Sequence, residues 1–316
     1  MPTLTRSQFR SRVEALREML SGCGMCPRKC GVDRLGGVTG FCGVGPEILL
    51  GRALPHFGEE PPISGSRGAG TVFLSSCNLR CAYCQNHQIS HLCEGDKMSP
   101  AQFSEVLLEL QRKGCHNIEA VTPTPQVPQF TESLYLAREA GLDLPLVFNC
   151  GGYESCETIK LLEGIVDVYL PDFKYGLDEA ARDLSGAEDY CRHATDAIRE
   201  MVGQVGANLR TEGEIASRGI IIRHLVLPGM PQNSIAALER IKKEFSADVP
   251  LSLMAQYTPT AAMRSHPTLA RRLTRSEYDF VVDAALDMDF GTIFTQEVDD
   301  RDLAPDFGRA EPFQWL

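Results

Sequence analysis

From residue 71 to residue 295, short β-branched runs alternate with helical patterns, and this alternation restricts the fold more than any other property of the chain. Candidate strands fall at 71–75, 117–122, 145–149, 167–171, 219–227, 250–256 and 292–295. Apolar positions recur at helical spacing between them, over 101–113, 127–140, 154–163, 188–205, 234–245 and 275–288. Strands and helices in this order imply right-handed crossovers and a parallel sheet. Such a sheet can be doubly wound or rolled into a barrel, and the alternation does not choose. With 316 residues the chain can form one large barrel-type domain or two smaller ones, and no repeat or linker divides the alternating portion.

The first strand lies within Gly70-Thr-Val-Phe-Leu-Ser-Ser-Cys77-Asn-Leu-Arg-Cys81-Ala-Tyr83-Cys84-Gln-Asn86, and three cysteines follow it directly. A cubane iron–sulfur cluster takes one thiolate per iron, so a loop offering only Cys77, Cys81 and Cys84 leaves one iron open. An open metal position is where chemistry takes place. Taken alone, the three cysteines also allow a zinc knuckle with His87 or His91 as fourth ligand, or a chance cluster of thiols.

A second group lies upstream. Residues 7–20 carry a helical pattern that stops at Gly22, and an irregular glycine-rich stretch follows with Cys23-x2-Cys26-x3-Cys30-x11-Cys42. Four thiolates at these spacings can close a tetrahedral zinc site or hold an auxiliary [4Fe-4S] cluster, and spacing leaves the two open. Free thiols are the plain alternative, although a stretch with so little apolar content needs some cross-link to order it. No apolar run reaches about 18 residues and no signal segment opens the chain, so a cytoplasmic protein without a membrane span is expected. Twelve cysteines then point to metal before disulfides. The net charge of -11 argues against a general nucleic-acid binder.

The cysteine loop, with its aromatic before the last ligand, resembles the signature of the radical S-adenosylmethionine (SAM) superfamily. That resemblance implies an α/β fold, a partial (β/α)6 barrel over 67–316, with residues 1–66 as an N-terminal helix and cysteine-rich extension. It implies a [4Fe-4S] cluster on Cys77, Cys81 and Cys84 whose open iron is chelated by SAM. Reduction then cleaves SAM to methionine and a 5′-deoxyadenosyl radical that takes hydrogen from a substrate. Barrel sites lie at the carboxyl ends of strands, and the strand ends here are polar. They supply Thr122 and Thr124, Asn149, Asp172 and Lys174, Arg223, and Gln256 as SAM-binding candidates, with Tyr83 beside the adenine. Singly, each is an ordinary turn or solvated residue.

Cys26-Pro27-Arg28-Lys29-Cys30 and His56-Phe57-Gly58-Glu59-Glu60-Pro61 narrow the resemblance to homologues of pyruvate formate-lyase activating enzyme. That subgroup implies an oxidoreductase that abstracts hydrogen as glycyl-radical activases do. Its partners would be a glycyl-radical-type enzyme or a peptide, with a flavodoxin- or ferredoxin-like electron donor. Modification of a peptide or small molecule is the alternative, and a metal-dependent redox-sensing interaction protein a third. The sequence departs from activating enzymes at Thr122-Pro123-Thr124-Pro125, which stands in place of their Gly-Gly-Glu motif and lacks its glutamate.

Overall fold

Thr5 and Gln8 cap each other reciprocally, and this starts the first helix, α1 (Arg6–Glu18). In this computed structural model the described residues are 4–299, 301 and 303–313. Beyond the cysteine-rich segment the chain runs through β1 (Ile48–His56), α2 (Pro61–Ser64), β2 (Ala69–Leu74), α3 (His87–Ser90), β3 (Asp96–Met98) and α4 (Pro100–Arg112). It continues through β4 (Ile118–Val121), α5 (Val127–Glu139), β5 (Leu146–Cys150), α6 (Cys156–Leu161), β6 (Val168–Pro171), α7 (Asp178–Ser185) and α8 (Tyr190–Val205). The last part holds β7 (Arg210–Glu212), β8 (Ile215–Ile220), β9 (Ile222–Leu225), α9 (Pro231–Phe245), β10 (Leu251–Met254), α10 (Arg275–Asp287) and β11 (Ile293–Thr295). Ser99 and Thr274 form the same reciprocal cap at α4 and α10.

Strands β2, β4, β5, β6 and β8 pair in parallel, as do β9, β10 and β11. Only Ile221 separates β8 from β9, and an Asp172–Arg223 bridge joins the two sheets. The result is the α/β partial barrel: six strand–helix units from β2 to β10, with β11 at the far edge. The expected strand at 219–227 is two pieces, because the chain pairs first with β6 and then switches to β10. The open edge of β2 is covered by β1, which runs antiparallel with His56 opposite Ala69 and carries β3 on its outer side. The extension therefore meets the barrel through a shared sheet.

Alternation along each strand sorts the residues. Val72, Leu74, Ile118, Ala120, Leu146, Phe148 and Tyr169 belong to the main apolar core. Each large side chain buried there stabilises the fold by about 1.5–3 kcal/mol. The other face points into the barrel. Its floor is a separate apolar cluster that includes Val147, Val168, Leu170, Ile221 and Ile63. Higher on the same face, polar side chains replace apolar ones. Among the described residues, no helix is long and apolar enough to cross a membrane.

Candidate active site

The thiolate loop is folded under strain. Ser76 (φ 79°) and Arg80 (φ 49°) both adopt left-handed backbone, which non-glycine residues do at a cost. The turn is held from outside by Ser76 N–H on Ile89 O (2.7 Å) and Ala82 N–H on Leu184 O (2.8 Å). Cys77, Cys81 and Cys84 all face one cavity of about 380 Å³ at the carboxyl end of β2. The Leu79 N–H donates to Cys77 Sγ (3.3 Å) and the Ser90 hydroxyl to Cys84 Sγ (3.3 Å). Burial first, then the neighbouring Cys81, pushes Cys77 up to about 12 and raises Cys84. Buried thiols this close resist ionising without a cation to bind. Soft donors, hydrogen bonds onto sulfur and one side open to a cavity fit a cluster with a free iron.

The histidines are otherwise engaged. His91 Nδ1 lies 2.8 Å from Ser90 Oγ and Nε2 lies 3.1 Å from Arg80 O, and its ring stacks on His87 at 4.8 Å. Among the described residues no three His, Cys, Asp or Glu side chains gather about a single-ion position. This is true of both cysteine groups alike, so it does not separate them.

Tyr83, Thr122, Asn149, Asp172, Lys174, Arg223 and Gln256 line the same cavity as the thiols. Thr124 does not: it is fully buried and its hydroxyl donates to Glu154 Oε1 (2.8 Å). Thr122 is left-handed (φ 56°), with its N–H on Asn149 O (2.9 Å). Asp172 and Lys174 form an ion pair; burial works against the ammonium, and the carboxylate beside it holds its pKa raised. A Cβ on Gly152 (φ 79°) would collide with the Asp172 carbonyl, so glycine allows the β5 and β6 ends to close together. Tyr83 is buried edge-on to Tyr175 (6.4 Å) and near Tyr257 (6.3 Å).

Below this rim, the barrel interior is polar. Glu119 on β4 accepts from Thr71 (2.6 Å) and from Asn149 Nδ2 (2.8 Å), and burial together with Glu59 pushes it up to about 8. Arg223 is held by Glu59 (3.1 Å) and Glu60 (3.2 Å). His56, Gly58 and Glu59 also line the cavity, as does Cys150. The motif at 56–61 thus delivers side chains to the site, a role its sequence left unassigned. A carboxylate within the apolar run Ile118-Glu119-Ala120-Val121 is the signal that marks the lumen as polar.

Cys23, Cys26, Cys30 and Cys42 surround a far smaller space of about 10 Å³. Arg34, fully buried, places Nη1 3.9 Å from Cys23 Sγ, and the Phe41 N–H donates to Cys30 Sγ (3.4 Å). A Cβ on Gly40 would stand 2.7 Å from Cys30 Sγ, so glycine permits that approach. Burial pushes Cys26 up to about 12 and raises Cys42. Arg28 lies 4.1 Å over the Phe41 ring and donates to the carbonyls of Asn78, Ser185 and Gly186. Ser76 and Arg80 in turn donate to the Cys42 carbonyl (2.6 and 3.1 Å). The four-cysteine loop braces the three-cysteine loop.

The chain is 29% identical over 287 residues to an uncharacterised protein of Methanocaldococcus jannaschii, an alignment covering 87% of this chain and 77% of that one. Among solved structures, the FeFe-hydrogenase maturase HydG of Carboxydothermus hydrogenoformans superposes with a TM-score of 0.51 at 14% identity. The match covers 72% of this chain and 53% of that one, so the chain spans about half of the maturase. Another HydG structure gives a TM-score of 0.50 at 12% identity, covering 92% and 63%. These likenesses show a shared fold. The radical SAM superfamily model matches residues 71–242, over half the chain, and with it come radical chemistry, a [4Fe-4S] cluster and SAM. From β2 and its thiolate loop to α9, the chain belongs to the radical SAM superfamily.

Proposed function

We propose that this protein abstracts hydrogen from a substrate drawn into the barrel lumen beneath Cys77, Cys81 and Cys84. One observation carries the reading: the thiolate loop and the polar lumen share a single cavity of about 380 Å³. When bound, the cluster and SAM supply a 5′-deoxyadenosyl radical. The protein's part is to hold and orient. Tyr83 offers its ring on the wall of the cavity, while Asp172 and Lys174 present paired charges matched to the ammonium and carboxylate of SAM. Thr122, Asn149 and Gln256 add hydrogen-bonding groups on the same wall. Thr124, turned to Glu154, is left out of this set, and Arg223 serves by fixing Glu59 and Glu60.

Two substrate classes fit a radical enzyme of this shape. A glycine loop of a partner enzyme, the activase reading, has no charge to answer the buried glutamates and arginine. A polar small molecule or peptide side chain does, and the lumen favours it. The four upstream cysteines form a second metal site in this reading, of zinc or a second [4Fe-4S] cluster, with electrons delivered by a flavodoxin- or ferredoxin-like donor.

Anaerobic reconstitution, reduction with dithionite and addition of SAM tests the chemistry. Release of 5′-deoxyadenosine is the expected outcome, and its absence with a full cluster overturns the proposal. A glycyl-radical signal in a partner enzyme, read by electron paramagnetic resonance, would restore the activase reading.

A further inference from the structure

The lumen holds more carboxylates than cations. The turn after β1 departs at the amino end of β2, where His56 pairs with Ala69, and from there Glu59 and Glu60 reach Arg223. Arg223 Nη1 lies 3.1 Å from Glu59 Oε2, and Nε lies 3.2 Å from Glu60 Oε1. The remaining nitrogen, Nη2, donates to Met254 Sδ (3.4 Å). One guanidinium faces two carboxylates.

The neighbouring groups do not supply the missing charge. His56 stands 3.7 Å from Glu59 Oε1, but burial and the nearby Arg223 lower it to about 4, so it is neutral at pH 7. Lys174 is committed to Asp172. Glu119 is a further carboxylate and no cation, and burial together with Glu59 raises it toward its neutral form. Two carboxylates whose side chains are only 8% and 5% exposed therefore share one guanidinium.

A buried charge without a full partner is costly, and structures seldom keep one without a use. Of the two glutamates, Glu59 lines the cavity. Its carboxylate shares the Arg223 guanidinium with Glu60, and His56 Nε2 stands 3.7 Å from its Oε1, beyond hydrogen-bond reach. A carboxylate that shares its cation with a second one thus belongs to a residue on the wall of the lumen.

We propose that the lumen is a substrate chamber selective for a cationic group, an alkylammonium or a guanidinium, with Glu59 as its specificity-determining residue. This rests on the reading that substrate enters the lumen below the thiolate loop. Arg223 holds the Glu59 carboxylate in place, and the incoming N–H donors add to the one guanidinium that Glu59 and Glu60 share. A charge-assisted hydrogen bond in such a site separates a cation from its neutral analogue by about tenfold or more.

The test uses the reconstituted holoenzyme with SAM and three probes small enough for the chamber: n-butylammonium, n-butylguanidinium and neutral n-butanol. Calorimetric titration should show at least one cation binding about tenfold more tightly than the alcohol. Substitution E59Q should remove that preference, and E59D should restore part of it, which separates loss of charge from loss of fold. Equal binding of all three probes, binding of none, or a preference that survives E59Q overturns the proposal. A tenfold loss of SAM affinity in E59Q with the preference intact would assign Glu59 to the SAM ammonium. Release of 5′-deoxyadenosine by the wild-type samples reports separately on the radical reading.

Discussion

Cys77, Cys81 and Cys84 open onto about 380 Å³ of cavity, whereas Cys23, Cys26, Cys30 and Cys42 enclose about 10 Å³. The donor chemistry is the same in both places, and the surroundings differ. Around the triad one side faces the lumen and polar strand ends converge, while left-handed backbone is common to both loops, at Ser76 and Arg80 here and at Lys29 in the quartet. Around the quartet Arg34 and Phe41 close the shell, and glycine lets the chain fold tightly onto sulfur. Metal sites that catalyse keep a position open, and sites that brace a fold are sealed. Enclosure, more than ligand type, is what distinguishes the two groups.

The sharpest way to break this contrast is Cys81→Ala. It should abolish 5′-deoxyadenosine formation altogether, while the quartet keeps its metal. Metal analysis of a triple variant lacking Cys77, Cys81 and Cys84 should then find four residual irons or one zinc. No residual metal would remove the quartet from the comparison. The converse variant, Cys30→Ser, should lose that second metal and lower the melting temperature, yet retain the absorbance of the triad's cluster.

Arg223→Met probes the lumen below the triad. It leaves Glu59 and Glu60 buried without a cation and should cost about 3–5 kcal/mol in denaturant unfolding. The smallest effect concerns pH. Glu119 is raised from its ordinary 4.5 to about 8 in the fold, so the folded protein binds a proton that the unfolded chain releases. Its contribution to stability is present below about 4.5 and is lost as pH rises through about 8. Glu119→Gln should remove that loss, so the gap in melting temperature between variant and wild type should move in the variant's favour from pH 5 to pH 8.

The parallel strands and their helices were readable because each has a strong period and a punctuating residue. The helical patterns at 101–113 and 275–288 fall within a residue of α4 and α10, whose starts Ser99 and Thr274 cap. What the sequence hid depends on long-range pairing. Strand β1 contains Gly51 and Pro55 and is ordered by β2, a partner no local pattern names. The break at Ile221 follows from which neighbour each half of the strand meets. Thr124 was indistinguishable from Thr122 in sequence, since both follow a strand beside a proline; the turn sends one to the cavity and the other to Glu154. Glu59 and Glu60 looked like part of a family signature, and only three-dimensional closure brings them to Arg223.

Arg28 ties the carbonyls of Asn78, Ser185 and Gly186 with one guanidinium, reaching from the quartet's own segment to the residue after Cys77. A lysine has a single nitrogen at that point and could not span the three. One side chain thereby couples the two loops: a change in the quartet's segment that displaced Arg28 would release the carbonyl beside Cys77 and the two at the end of α7 together.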